Sequence, residues 1–202
     1  MAKRDESAFS KQKHRVDRLF RSAQRPDVRT EETRPAPGLF RTALEALPQR
    51  ELTGRWLQAV LPDAEMAVQS LLDNTLRGGR WSPPRTFPVM YAAEDDLLSR
   101  ADMKRWLYGG DGSRFIVVCI EVHLGRVLDL CDSAVRLALG TTNEELTEST
   151  DMEVSRAIGV AAYRADYQAI LYPRPSRPKH RNLAIFPERV GEMDLYFADP
   201  PL

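Results

Sequence analysis

The chain has 202 residues, enough for one domain with a sizeable core or for a domain with an appendage. Its 43% apolar and 29% charged residues are those of a globular protein and exclude a disordered or fibrous chain. The formal net charge is zero, so no global field steers the molecule onto nucleic acid or an anionic membrane.

Residues 1–37 form a polar leader with ten Lys and Arg against six Asp and Glu, closed by Pro26, Pro35 and Pro37. Phe9, Val16, Leu19 and Phe20 fall on one side of a helix drawn from Ser7 to Ala23. The segment reads as a solvated arm, as a helix docked on the domain or on a second copy, or as a nucleic-acid tail; blocks of this kind are mostly solvated. A homo-oligomer is thereby left open, and direct nucleic-acid binding is not expected. MAKRDESAF carries no apolar signal-peptide core, and no apolar run approaches the ~18 residues of a membrane span, so a cytoplasmic protein without membrane contact is expected. The domain is placed at residues 38–202.

Leu39-Phe40-Arg41-Thr42 reads as a short strand. Trp56 to Leu76 has helical spacing in Val60, Ala64, Ala67, Val68, Leu71 and Leu72, with Pro62 in a first turn or at a kink and Gly78 as the stop. The stretch GGRWSPPRTFPVMYAA, Gly78 to Ala93, follows: two glycines, a cation, a tryptophan, a Pro-Pro turn, then an apolar strand ending near a phenol. Glu94 to Gly109 reads as a helix with acidic residues in its first turn and Leu98, Asp102 and Trp106 stacked on one face. Phe115–Leu124 is the strongest strand, and Gly125 turns it into a second one, Arg126–Leu130. Asp132-Ser133 caps a short helix ended by Gly140, and Thr142-Asn143-Glu144-Glu145 starts another. Met152–Ala165 is a helix with Val154, Ile158, Ala161 and Ala162 inward. Tyr167–Tyr172 is a strand, the basic PRPSRPKHR a loop, Asn182–Phe186 a strand, and Asp194–Ala198 an edge strand. Strands and helices mix without strict alternation, which predicts a single compact α+β domain with mixed or antiparallel sheets and flanking helices.

The chain lacks GxGxxG, GxxxxGK[ST] and GxSxG elements. His14, His123 and His180 have no metal-ligand spacing, and Cys119 and Cys131 lie in apolar surroundings without a CxxC. The cysteines read as reduced core residues, and no metal is expected. What remains is Arg80, Tyr91 and Asp102 with the loop from Pro173 to Asn182. A fixed cation, a rigid turn and an aromatic suit a planar, phosphorylated ligand. The alternative is a turn and a core strand, with Arg80 in a salt bridge and Tyr91 in the core.

The GGRW block with its proline turn and VMYAA, an acid eleven residues after the tyrosine, RVLDL, and ILYP followed by NLAIF together resemble the RES domain family. These are toxins of Res–Xre toxin–antitoxin modules. The resemblance runs from about Leu39 to Phe186; GGRW-to-Tyr91 and YP…NLAIF are its specific parts. It implies an ADP-ribosyltransferase-like α+β fold acting on NAD as substrate, with an Xre-like helix-turn-helix antitoxin as partner. The family degrades NAD at the nicotinamide–ribose bond by hydrolysis or phosphorolysis, or transfers ADP-ribose. By the resemblance, Arg80, Tyr91 and Asp102 are catalytic, and Gly79, Arg80, Trp81, Tyr91, Arg174, Ser176 and Asn182 bind NAD. Arg80 matches the arginine that holds the phosphate, for which a planar, permanently charged guanidinium is suited. Tyr91 matches the residue packing beside nicotinamide. Asp102 stands where the family carries Glu, shorter by about 1.5 Å. Glu94, Asp95 and Asp96 read instead as charges at a helix start. Arg174 stands where the family's serine follows YP. Either Ser176 replaces that serine or its role is lost, and Arg174, Arg177, Lys179 and Arg181 form either a phosphate clamp or a solvated loop. The departures leave a second reading, a catalytically attenuated or silent RES-like module that binds a nucleotide or a partner protein.

Overall fold

A computed structural model describes residues 40–60, 74–94, 116–147, 151–174, 177–191 and 194–198. The leader, most of the helix expected between Trp56 and Leu76, nearly all of the helix expected from Glu94 to Gly109 with its Asp102, and Ser176 lie outside the described residues.

The elements in chain order are helix α1 (Arg41–Ala46), strands β1 (Arg50–Val60), β2 (Met90–Ala93) and β3 (Ile116–Asp129), helices α2 (Ser133–Ala138), α3 (Asn143–Thr147) and α4 (Glu153–Arg164), and strands β4 (Ala169–Arg174), β5 (Arg177–Ile185) and β6 (Leu195–Ala198). The strands form one sheet in the order β1-β2-β5-β4-β3-β6. Because β1 also pairs with β3, the first five strands close into a ring, and β6 lies along β3. Among the described strands only β3 and β4 run parallel, and the other pairs are antiparallel. The mixed α+β architecture expected from the element pattern is observed.

Closure gives the sheet two apolar faces. Leu52, Trp56, Ala92, Ile120, Val122, Leu124, Leu171, Leu183 and Ile185 form one buried cluster. On the opposite face Leu128, Ile170, Tyr172 and Ala184 pack with Leu44 of α1, Ile158, Ala161 and Ala162 of α4, and Trp81, Phe87 and Val89 of the 78–89 loop. The alternation of strand side chains separates the sets: in register, Tyr91 faces Ala184 while Ala92 faces Leu183.

Four expectations change. Arg41–Ala46 is helical rather than extended: RTALEA is rich in helix formers, and Leu44 buries against the α4 side of the core. Trp56–Val60 belongs to β1, which pairs with β3 from Arg50 to Val60; this long ladder overrides the helical spacing, and of the expected helix only residues 74–76 are described as helical. The two strands around Gly125 are one 14-residue strand, held where the Gly125 and Arg126 amides both donate to Gln168 Oε1. Most of the basic loop is strand, since β5 begins at Arg177 and pairs with β4 in a hairpin.

The short helices follow their caps. Asp132 Oδ1 accepts from the Ala134 amide at 2.8 Å and starts α2. Thr142 and Glu145 form a reciprocal capping box on α3, the Glu145 amide donating to Thr142 Oγ1 at 3.2 Å and the Thr142 amide to Glu145 Oε2 at 2.8 Å. Cys119 and Cys131 are free thiols.

Candidate active site

The Gly78–Pro84 turn sits on the α4 face of the sheet beside β2. Gly78 has φ +73°, and a Cβ there would meet the Pro84 nitrogen at 2.6 Å, so the turn requires glycine. The Gly79 amide donates to the Ser82 carbonyl at 2.8 Å and closes the loop. A Cβ on Gly79 would lie 2.3 Å from the Tyr91 hydroxyl. The turn is therefore folded down onto the phenol.

Tyr91 projects from β2 toward that turn, its ring half-buried, with the Trp81 amide 3.5 Å from its hydroxyl oxygen. Burial pushes the phenol up to about 12; the Trp81 amide, the Arg80 guanidinium, the Arg80 amide and the Arg156 guanidinium each pull it back in part. At neutral pH the hydroxyl is protonated, so it offers a hydrogen bond and not a base.

Arg80 lies between the turn and α3, its Nη1 donating to the Leu146 carbonyl at 2.6 Å. Ser155 of α4 reaches the same carbonyl at 3.4 Å. One turn on, a Cβ on Gly159 would stand 1.9 Å from the Trp81 carbonyl oxygen, so only glycine lets the helix approach so closely. Arg156 donates from Nε to the Gly79 carbonyl at 3.0 Å. The Trp81 ring is fully buried and meets Tyr172 edge-on, with centroids 5.0 Å apart. Among the described residues no acceptor reaches its Nε1.

The structure thus gathers Gly79, Arg80, Trp81 and Tyr91 at one place. Asn182 is buried on β5, opposite Ala93 on one side and Tyr172 on the other, and joins the group through Tyr172 and Trp81. Arg174, half-buried, ends β4 at the tip of the hairpin. Asp102 and Ser176 lie outside the described residues. Arg181, one of the four basic residues of the expected loop, is bound to Glu94: its amide donates to Oε2 and its Nε to Oε1, both at 2.8 Å. The pair raises the guanidinium above its usual range, chiefly through that hydrogen bond. Glu94 therefore ties the end of β2 to β5.

Arg156 and Gly159 complete the site without having been singled out, and Tyr172, quoted only as a strand end and as part of the ILYP block, joins them. A glycine inside an otherwise helical run costs ~1 kcal/mol against alanine, which is a signal of close approach. Nothing local marks Arg156. Among the described residues, no group of three or more His, Cys, Asp or Glu is placed to hold a metal, and no helix is long and apolar enough to cross a membrane.

Among known proteins, the chain is similar to the NAD(+) phosphorylase MbcT of Mycobacterium bovis, 28% identical over 103 residues, or 48% of this chain and 55% of that protein. The NAD(+) phosphorylase MbcT of Mycobacterium tuberculosis matches with the same values. The chain spans about half the length of these curated relatives. Its fold is similar to that in the crystal structure of the M. tuberculosis MbcT–MbcA toxin–antitoxin complex, at a TM-score of 0.66 and 21% identity, over 80% of this chain and 90% of that one. The RES domain profile matches residues 55–199, a span that takes in the second half of β1, all of β2 through β6 and the whole Gly79–Tyr91 site, and the chain belongs to the RES domain family.

Proposed function

We propose that this protein is an NAD-consuming toxin of a toxin–antitoxin module, which breaks the nicotinamide–ribose bond with inorganic phosphate as the attacking group. The observation that carries the reading is the seating of the Gly79 turn on Tyr91, which holds a guanidinium and a neutral phenol in fixed relation. Arg80 suits a diphosphate, whose oxygens match its planar fork. Tyr91, neutral at physiological pH, donates or accepts one hydrogen bond beside an aromatic base without adding charge. Asp102 supplies the carboxylate that favours positive charge as nicotinamide departs. A phosphate oxygen then bonds to the anomeric carbon while the carbon–nitrogen bond breaks, and nicotinamide leaves as the neutral amide with that electron pair.

Phosphorolysis is favoured over hydrolysis and transfer by the activity for which the MbcT relatives are named. The mixed sheet with flanking helices suits the ADP-ribosyltransferase-like fold, and the toxin–antitoxin complex among its structural neighbours supports an antitoxin partner, for which we retain the Xre-like type. Such a toxin acts in the cytoplasm, where NAD is found. Trp81 contributes from beneath, since its ring is wholly buried, and Asn182 and Arg174 from the β4–β5 hairpin.

The test is purified full chain with NAD and phosphate, followed by release of nicotinamide. Release is expected, with Arg80→Ala slower by a hundredfold or more, on the order of 3 kcal/mol of lost stabilisation. No release, together with identical behaviour of Arg80→Ala, sinks the proposal. Arg174 at the family's serine position favours a second reading, a module that binds NAD without turning it over. Binding measured by calorimetry in the absence of nicotinamide release selects it.

A further inference from the structure

Helix α4 touches the Arg80 turn at two points, and a third residue on the same face reaches the carbonyl that Arg80 itself binds. Ser155 shares the Leu146 carbonyl with Arg80, Arg156 binds the Gly79 carbonyl, and Gly159 admits the Trp81 carbonyl. Residues three and four apart share a helix face, so one helix grips the turn before and after Arg80. Two of these contacts are passive. Arg156 is the exception, because it spends a charged donor on a neutral carbonyl, and no carboxylate among the described residues pairs with it. A charged group committed to a backbone oxygen gives a stronger bond than a neutral one. Its bond fixes the peptide that joins Gly79 to Arg80, and hence the direction in which the Arg80 side chain leaves the backbone. The same turn carries the Trp81 amide that faces the Tyr91 hydroxyl.

We propose that Arg156 is a positioning residue, whose hydrogen bond to the Gly79 carbonyl holds the turn so that Arg80 and Tyr91 face the substrate together. The assignment of that substrate as NAD rests on the function proposed above; the effect on the turn does not. A displacement of Arg80 on the order of 1 Å is enough to cost about a hundredfold in rate.

Two substitutions separate the bond from the charge. In Arg156→Gln the side-chain amide nitrogen is bonded to Cδ, as Nε is in arginine, so the donor stays and the charge goes. In Arg156→Lys the charge stays and the donor at that position goes. The full chain is measured in two ways, by hydrogen exchange of the Gly79 and Trp81 amides and by kcat/KM for NAD consumption in phosphate. For Arg156→Lys, exchange is expected to rise about tenfold or more and kcat/KM to fall about a hundredfold. For Arg156→Gln, which keeps the bond without its charge assistance, both are expected to fall between wild type and the Lys variant. A larger loss in the Gln variant than in the Lys variant overturns the proposal and makes the charge the operative feature; so does unchanged exchange in the Lys variant. Arg156→Met, which removes both donor and charge, matches the Lys variant if the bond is what counts and exceeds it if the charge also acts. If the wild-type chain leaves NAD intact, the proposed function falls, and the exchange measurement alone decides whether Arg156 holds the turn.

Discussion

Gly79 and Tyr91 meet through a single atom, the phenolic oxygen. A Cβ on Gly79 would come within 2.3 Å of that oxygen but only within 3.2 Å of the ring carbon that bears it. The conflict that alanine creates is thus with the hydroxyl, and removing the hydroxyl removes most of it. Gly79→Ala is expected to destabilise by about 2 kcal/mol in wild type, in the range of overpacking, and by less than about 1 kcal/mol in Tyr91→Phe. The two substitutions are in contact, so their effects are not additive, and the cycle of four proteins reads the coupling directly. Equal costs of Gly79→Ala in both backgrounds, from denaturant melts, would show that the turn does not rest on the hydroxyl. Arg181 makes a different point at the same scale. It reads in sequence as part of a basic loop, yet its bonds to Glu94 commit it to joining β2 to β5. A half-buried carboxylate that holds the guanidinium through one oxygen and the Arg181 amide through the other exceeds the ordinary surface ion pair.

Helix α4 shows how an element is placed by what it lacks. Alanine at position 159 gains about 1 kcal/mol of intrinsic helix propensity over glycine. The same alanine would set its Cβ 1.9 Å from a backbone oxygen that belongs to the Arg80 turn. Backbone cannot rotate out of the way as a side chain can, so helix or turn must shift. Gly159→Ala is therefore expected to lower stability by about 2 kcal/mol or more despite its better propensity, and to reduce NAD turnover with it. A thermal midpoint equal to or above wild type would mean that helix and turn are not in this contact. The contact also marks where sequence reading stops. The capping box of Thr142 and Glu145 and the cap at Asp132 are legible because partners two or three residues apart state the whole interaction. Arg80 and Tyr91 are legible for the same reason, lying on one turn and the strand that follows it. β1 is not: Trp56 to Val60 has helical spacing with its successors, and the pairing with Ile120 to Ile116 that overrides it comes from far along the chain. Arg156 is hidden likewise, since its carbonyl partner lies 77 residues away.

Among the described residues the shifted phenols and thiols all move in one direction. Burial raises the Tyr91 and Tyr163 phenols from 10.0 to about 12 and the Cys131 thiol from 9.0 to about 11. Tyr163, stacked on Phe87 with its hydroxyl donated to Glu188, is pushed further by that carboxylate. Each of these groups is an acid whose charged form the fold disfavours. Below pH 9 both folded and unfolded chains keep the protons, and the stability is undiminished. Between pH 9 and 12 the unfolded chain releases them first, so the folded state binds more protons and stability falls as pH rises. Tyr91 alone, two pH units above its ordinary value and buried at its hydroxyl end, accounts for a loss on the order of 2 kcal/mol by pH 12. Denaturant melts at pH 8, 10 and 11 are expected to show the midpoint dropping above pH 10 in wild type, and dropping less in Tyr91→Phe. The comparison of slopes matters more than either midpoint, because Tyr91→Phe also removes the acceptor facing the Trp81 amide at every pH. Parallel slopes would place the Tyr91 hydroxyl in water, and a hydroxyl in water is one the Gly79 turn does not cover. The alkaline limb of the stability curve therefore tests the same seating of turn on phenol from which the site is built.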